Sequence, residues 1–301
     1  MTDASRMRRE IARGGSRFGL VIFLALLALN AGAFQVVDDR GVAVELAEPA
    51  RRVVTLLPSL TETVCELGAC ERLVGVDAFS NQPDSVRKLP HLGGLEDANI
   101  ERIVALKPDV VLMSATSRAM GRLQALGIKV FGLELKTLAD VRRAIGKVGQ
   151  LLGVAGTDRV WSRIEEGIAA AAREVPSGMR GASVYVEVDS GPYAASEISH
   201  VGEILERLGV ANIVPGRLGS VPKLNPEFVV RADPQVIIIS GRDAPSLRQR
   251  PGWSGMRAIR EGRVCALTPA QGDVVMRPGP RLAQAARILV DCLKVRAAER
   301  S

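Results

Sequence analysis

The sequence predicts an α/β protein of two Rossmann-like lobes with mainly parallel sheets, joined by a single long backbone helix. Three observations carry this. Short apolar runs alternate with helical periods, as parallel sheets covered by helices require. One stretch, from Asn99 to Leu112, recurs as Asn225 to Ile238. Between the copies, residues 138–175 read as almost unbroken helix.

The chain begins with five arginines (Arg6, Arg8, Arg9, Arg13, Arg17), an apolar run from Phe18 to Leu29, and Ala31-Gly32-Ala33. A basic head, a short apolar middle and a small-x-small site describe an export signal cut after Ala33. The apolar run falls short of the roughly 20 residues a span needs. No cysteine sits near the cut, so a bacterial lipid anchor is not expected. Residues 1–33 are therefore read as signal peptide, 34–152 as an N-terminal lobe, 153–176 as the interlobe helix and 177–301 as a C-terminal lobe.

In chain order, the turn Asp39-Arg40-Gly41 between β-rich runs signals a hairpin. Arg52 to Leu57 reads as a buried strand ended by Pro58-Ser59, and Leu60 to Leu67 as a helix closed by Gly68. Strands follow at Leu73–Val76, Val110–Met113 and Val130–Leu133, with helices at Asn99–Leu106 and Ala119–Leu126. Leu138 to Leu152 is helical up to Gly153. Thr157 reads as the N-cap of the next helix, with Asp158 in its first turn, running to Val175 before Pro176. The alternation then restarts, with strands at Ser183–Val188, Val236–Ser240 and Arg263–Leu267. Helices are expected at Val201–Leu208, Pro226–Arg231 and Arg281–Lys294. Besides the paired Asn-x-Glu, Glu62 with Leu67-Gly68 is echoed by Glu203 with Leu208-Gly209. Such self-similarity means two related units.

Composition narrows the function. The formal charge is +7, and removing residues 1–33 leaves 35 basic against 31 acidic side chains, a net +4. With aromatics at 3%, that argues against nucleic acid as a partner. Hydrophobic residues reach 47%, enough for packed cores. Cys65, Cys70, Cys265 and Cys292 would face an oxidising compartment. Their order favours Cys65–Cys70 and Cys265–Cys292, with other pairings or four buried thiols as alternatives. His91 and His200 are the only histidines, too few for a bare-metal site. No Gly-x-Gly-x-x-Gly, P-loop, Gly-x-Ser-x-Gly or His-Glu-x-x-His is present, which disfavours an enzyme; an exported hydrolase is the alternative of another class.

The segments Arg52–Gly68, Leu73–Val76 and Asn99–Leu112 resemble the helical-backbone substrate-binding proteins of ABC importers, those for vitamin B12, iron-siderophores and haem. The resemblance covers residues 36–294 and looks nearest the vitamin B12-binding branch. It implies a periplasmic monomer with no cofactor of its own, which clasps a corrinoid between its lobes and hands it to an ABC permease dimer. A ferric siderophore or haem is the alternative guest. It also implies one permease-docking glutamate per lobe, and the matching positions are Glu101 and Glu227. The cleft is expected at the C-terminal ends of the strands. Pro58, Ser59, Phe79, Ser80, Ser114, Tyr193, Trp253 and the loop Gln271–Val274 with Asp273 are its expected lining. Arg277 and Arg281 could meet an anionic chelate, cap the last helix or pair with surface acids. The sequence departs from the B12-binding pattern at Gly93-Gly94, Met113-Ser114 and Asp273-Val274, where no ring stands. A helix between lobes implies a small opening motion.

Overall fold

The computed structural model describes residues 34–94, 97–189, 191 and 193–294; the expected signal segment lies outside them. An antiparallel hairpin opens the described chain, β1 (Phe34–Val37) against β2 (Ala43–Leu46). Its turn places Gly41 at φ 77°, a conformation that glycine adopts without steric cost. Asp38 stitches the turn, accepting from the backbone N–H groups of Arg40, Val42 and Gly132.

The first half is built from β3 (Val53–Thr55), α1 (Pro58–Glu66), β4 (Leu73–Val76), α2 (Ile100–Ala105), β5 (Val110–Ser114), α3 (Ala119–Ala125) and β6 (Val130–Leu133). Its four strands are parallel, in the order β4-β3-β5-β6. Two helices follow, α4 (Leu138–Leu152) and α5 (Thr157–Arg173). The second half comprises β7 (Ser183–Asp189), β8 (Tyr193–Ala194), α6 (His200–Arg207), β9 (Ala211–Asn212), α7 (Pro226–Ala232), β10 (Val236–Ser240), α8 (Arg257–Arg260) and β11 (Val264–Leu267). It ends in α9 (Pro269–Met276) and α10 (Leu282–Leu293).

The parallel strands of the second half run β9-β7-β10-β11, the same second-first-third-fourth order as the first half. Only the short antiparallel β8 is added. The repeat seen in the sequence is thus a repeat of topology. It extends to single hydrogen bonds. Asp109 donates its N–H to Arg52 O at 2.8 Å while its carboxylate takes the Arg52 N–H at 2.8 Å. Gln235 donates to Ser183 O at 2.8 Å while its side chain takes the Ser183 N–H at 3.1 Å.

α4 begins with a reciprocal cap between Thr137 and Asp140 and ends on Gly153 at φ 62°. The expected N-cap of α5 is corrected. Gly156, at φ 93°, takes that place, and Thr157 lies inside the helix with its methyl packed on Gly149 of α4. The 17 residues of α5 span about 26 Å. Val160, Trp161, Ile164, Ile168 and Ala171 form its buried face. Gly167 leaves no room for a side chain against Ala283 of α10, so the two helices cross closely there. One apolar core runs from the first sheet through α4, α5 and α10 to the second sheet. That continuity joins the halves by packing as well as by the chain. Disulfides Cys65–Cys70 and Cys265–Cys292 are both formed; the second ties β11 to α10. No helix among the described residues is long and apolar enough to cross a membrane.

Candidate functional site

Parallel strands leave their C-terminal ends open, and there a cavity of about 210 Å³ lies against the first sheet. Leu57 and Ser59 come from the end of β3, Ser114 and Thr116 from β5, and Leu133 to Lys136 from β6; Pro278, from beyond the second sheet, closes it. Pro58 at the first position of α1 ends the strand and starts the helix, which sets Leu57 and Ser59 at the mouth. Ser114 and Thr116 share a hydroxyl bond at 3.0 Å, and Lys136 pairs with Glu134 at 3.1 Å. The lining mixes apolar side chains and hydroxyls with this one ion pair.

The expected lining residues divide into three groups. Ser59 and Ser114 face the cavity, and Pro58 adjoins it. Phe79, on the loop after β4, is 63% exposed, and its ring edge lies over Gly94, 3.2 Å from where a Cβ would stand. Tyr193 is 39% exposed, with the Lys223 ammonium 5.8 Å from its ring. These two rings, one from each half, are exposed.

Trp253 is a correction. It is fully buried, edge-on to Tyr185 at 5.9 Å, with the Arg250 guanidinium 4.6 Å above its ring. The ring packs into the core of the second lobe rather than out of it. Ser80 is also turned inward, ending a buried chain of hydroxyls from Thr55 through Thr61 to the Asp77 carboxylate. Burial pushes the Asp77 carboxyl above the ordinary aspartate range despite those bonds. Residues 271–274 are helix, not loop, since Thr268 and Gln271 form a reciprocal cap that starts α9. Asp273 therefore points from a helix and accepts from Asn81 at 2.8 Å.

Sequence reasoning missed Leu57, Thr116, Leu133, Glu134, Leu135, Lys136 and Pro278, which line the cavity. All but Pro278 sit at or just past the end of a strand, a position that could have flagged them. It also missed Ile198, Leu218 and Val221, apolar and each 45% exposed or more, in the segments after β8 and β9. Apolar residues standing among glycine, serine and proline were their signal.

Arg281 stands at the N-cap position of the last helix without a side-chain capping bond, and Arg277 pairs with the partly exposed Asp273 at 2.9 Å, but neither arginine stops there. Both reach Glu62 on α1, at 3.0 and 2.6 Å, and that carboxylate is buried. The two histidines stand apart in role. His91 bonds the Asp77 carbonyl from an exposed position, whereas His200 is buried with its ring on Val275 O at 3.0 Å. Burial pushes the His200 imidazole down to about 4.

Glu101 and Glu227 occupy matched places, in the first turns of α2 and α7. Asn99 and Asn225 cap those helices, accepting from Arg102 N at 3.0 Å and from Glu227 N at 2.9 Å. Both glutamates are exposed, and no ion pair engages either among the described residues. Each helix N-terminus favours a negative charge at that point.

The profile of a family described as periplasmic binding protein matches residues 53–270. An uncharacterised ABC transporter substrate-binding lipoprotein, YvrC of Bacillus subtilis, is 26% identical over 83% of this chain and 82% of its own length. A vitamin B12-binding protein of Pectobacterium carotovorum is 27% identical over 79% of this chain and 86% of its own. Among solved structures, the periplasmic haem-binding protein RhuT of Roseiflexus superposes with a TM-score of 0.69 at 24% identity, covering 81% of this chain and 98% of that one.

Proposed function

This chain belongs to the periplasmic binding protein family, and on that premise we propose that it is the exported receptor of an ABC importer. It captures a corrinoid between its halves and presents it to a two-fold permease in the cytoplasmic membrane. The observation that carries the transport role is the pair Glu101 and Glu227. Two halves of the same strand order offer one exposed acidic side chain at the same point of each. A pseudo-two-fold receptor thereby matches a two-fold partner, and the charges steer encounter and register.

The corrinoid assignment rests on the vitamin B12-binding relative and on the exposed rings Phe79 and Tyr193, together with the exposed apolar residues Ile198, Leu218 and Val221 of the second half. A flat, partly apolar guest would cover that surface. Haem is the second reading, because Tyr193 carries a phenol oxygen of the kind that ligates haem iron. The family this chain belongs to, and the relatives named for solute binding and transport, carry solutes rather than transform them. The role is retention without turnover.

The test is a thermal-unfolding panel with cobalamin, haem and ferric siderophores. A ligand at 100 times its dissociation constant should add about 2.7 kcal/mol and be recovered unchanged. Tyr193→Phe should keep a cobalamin response and lose a haem response. A panel with no stabilising member would overturn the ligand class.

A further inference from the structure

The sequence repeat pairs Glu62 with Glu203, and neither ligand capture nor docking uses them. Each sits on the helix that follows the first strand of its half, α1 and α6, and each helix runs into Leu-Gly with the glycine at positive φ, 76° and 74°. We propose that Glu62 and Glu203 are matched fasteners between the halves, and that Glu62 positions the Arg277–Gly279 wall of the cleft.

In both halves the chain that leaves the fourth strand crosses to the other half. After β6 it reaches α6, where Leu138 N donates to Glu203 Oε2 at 2.6 Å and His200 N donates to Lys136 O at 2.6 Å. After β11 it runs through α9 and reaches α1. There Arg277 Nη1 donates to Glu62 Oε1 at 3.0 Å, and Arg281 binds both carboxylate oxygens at 2.6 and 2.9 Å. Arg277 also holds Phe79 O at 3.0 Å and Asn81 Oδ1 at 2.8 Å. The same crossing is therefore caught by the same glutamate in each half.

The two catches differ in kind. Glu203 holds a backbone N–H in the first turn of α4, an element that cannot re-rotate on its own. Glu62 holds two long side chains that can. The Glu203 side is thus the pivot and the Glu62 side the one that releases. Between the arginines, Pro278 closes the cavity, and Gly279 lies so close to Ser59 that a Cβ would stand 3.1 Å from the serine's own. The tie to Glu62 holds this turn against the mouth of the first sheet.

The inference goes beyond ligand capture and needs no ligand for its test, so its failure would be distinct from failure of the ligand assignment. Spin labels at Gln124→Cys and Arg217→Cys, exposed positions on opposite halves, report the separation by pulsed electron resonance. All four native cysteines are in disulfides and stay unlabelled. The parent protein should give one narrow distance. Glu62→Gln should add a longer one, raising the open-to-closed ratio about tenfold or more, as loss of a buried ion pair implies. Glu203→Gln, whose amide oxygen still accepts from Leu138, should leave the parent distance unchanged. A Glu62→Gln protein with a lowered unfolding midpoint and the parent distance would mean a merely structural carboxylate and overturn the proposal. If that variant does not fold, Arg277→Gln, which leaves Arg281 on Glu62, serves instead. There too a longer distance supports the proposal and an unchanged one refutes it.

Discussion

Lys107 and Asp233 hold the same left-handed turn in the two halves, at φ 46° and 42°, each between a helix end and a proline. Among the described residues they are the only non-glycines at positive φ. That conformation costs a side-chain-bearing residue about 1–2 kcal/mol, against about 0.5–1 kcal/mol of chain entropy for glycine. Lys107→Gly should therefore stabilise slightly, by under about 1 kcal/mol. Asp233 also accepts Arg257 N at 2.6 Å, so Asp233→Gly should instead destabilise by about 1 kcal/mol, the worth of one hydrogen bond. Denaturant midpoints of the two variants, moving in opposite directions, check this.

Glu101 and Glu227 should act in delivery and not in capture. The double variant Glu101→Arg/Glu227→Arg should abolish uptake by membranes carrying the permease and leave ligand affinity within twofold of the parent. The fold should survive, because Asn99 and Asn225 cap α2 and α7 independently, and a helix-end charge contributes only about 0.3–1 kcal/mol. Undiminished uptake by the double variant would remove both residues from the docking surface.

What the sequence revealed follows from where its signals are strong. Strands β4, β6 and β10 fall where apolar runs between turn residues put them, and Gly153 ends α4 as expected. The repeat was legible because Asn-x-Glu before a proline has a local cause, a capped helix feeding a buried strand. Side-chain direction was not. Ser80 stands next to exposed Phe79, yet its hydroxyl turns inward to Asp77, a partner that only the folded loop supplies. The tie from Arg277 and Arg281 to Glu62 spans more than two hundred residues, and no local pattern marks it. The cavity lining was legible only at Ser59 and Ser114 for the same reason: strand ends can be read, but Pro278 arrives from the far end of the chain.

Trp253 should behave as a core residue. Its ring is fully buried against Tyr185, Leu247 and Met256 in the second lobe, so Trp253→Ala should cost about 3–5 kcal/mol. The indole nitrogen is buried without a hydrogen-bond partner. Trp253→Phe, which discards that unsatisfied group, should recover more than half of the loss. Affinity for any ligand of the cleft should be the same in the phenylalanine variant and the parent. A large change in affinity with little change in stability would return this ring to the cleft.

His200 should make the protein acid-sensitive in a window of its own. Burial is the dominant influence and sets the folded imidazole at about 4, against an ordinary value of 6.5. Below pH 6.5 the unfolded chain takes up a proton that the folded chain refuses. The contribution of this group to stability is thus complete above pH 6.5, falls as the pH drops toward 4, and levels off below. A shift of this size corresponds to about 3 kcal/mol. Asp38, Asp39 and Asp140 add to the loss only lower down. Burial raises each of them, but their hydrogen bonds and basic neighbours win and hold them below the ordinary aspartate value of 3.8. Asp77, raised by burial, works the other way and favours the acid side. His200→Gln keeps a donor for Val275 O and removes the titration. Its unfolding free energy should lose most of the decline between pH 6.5 and 4 while the carboxylate-driven fall below pH 4 persists. Parallel pH profiles for the parent and the glutamine variant across that window would show that the imidazole is not the group responsible.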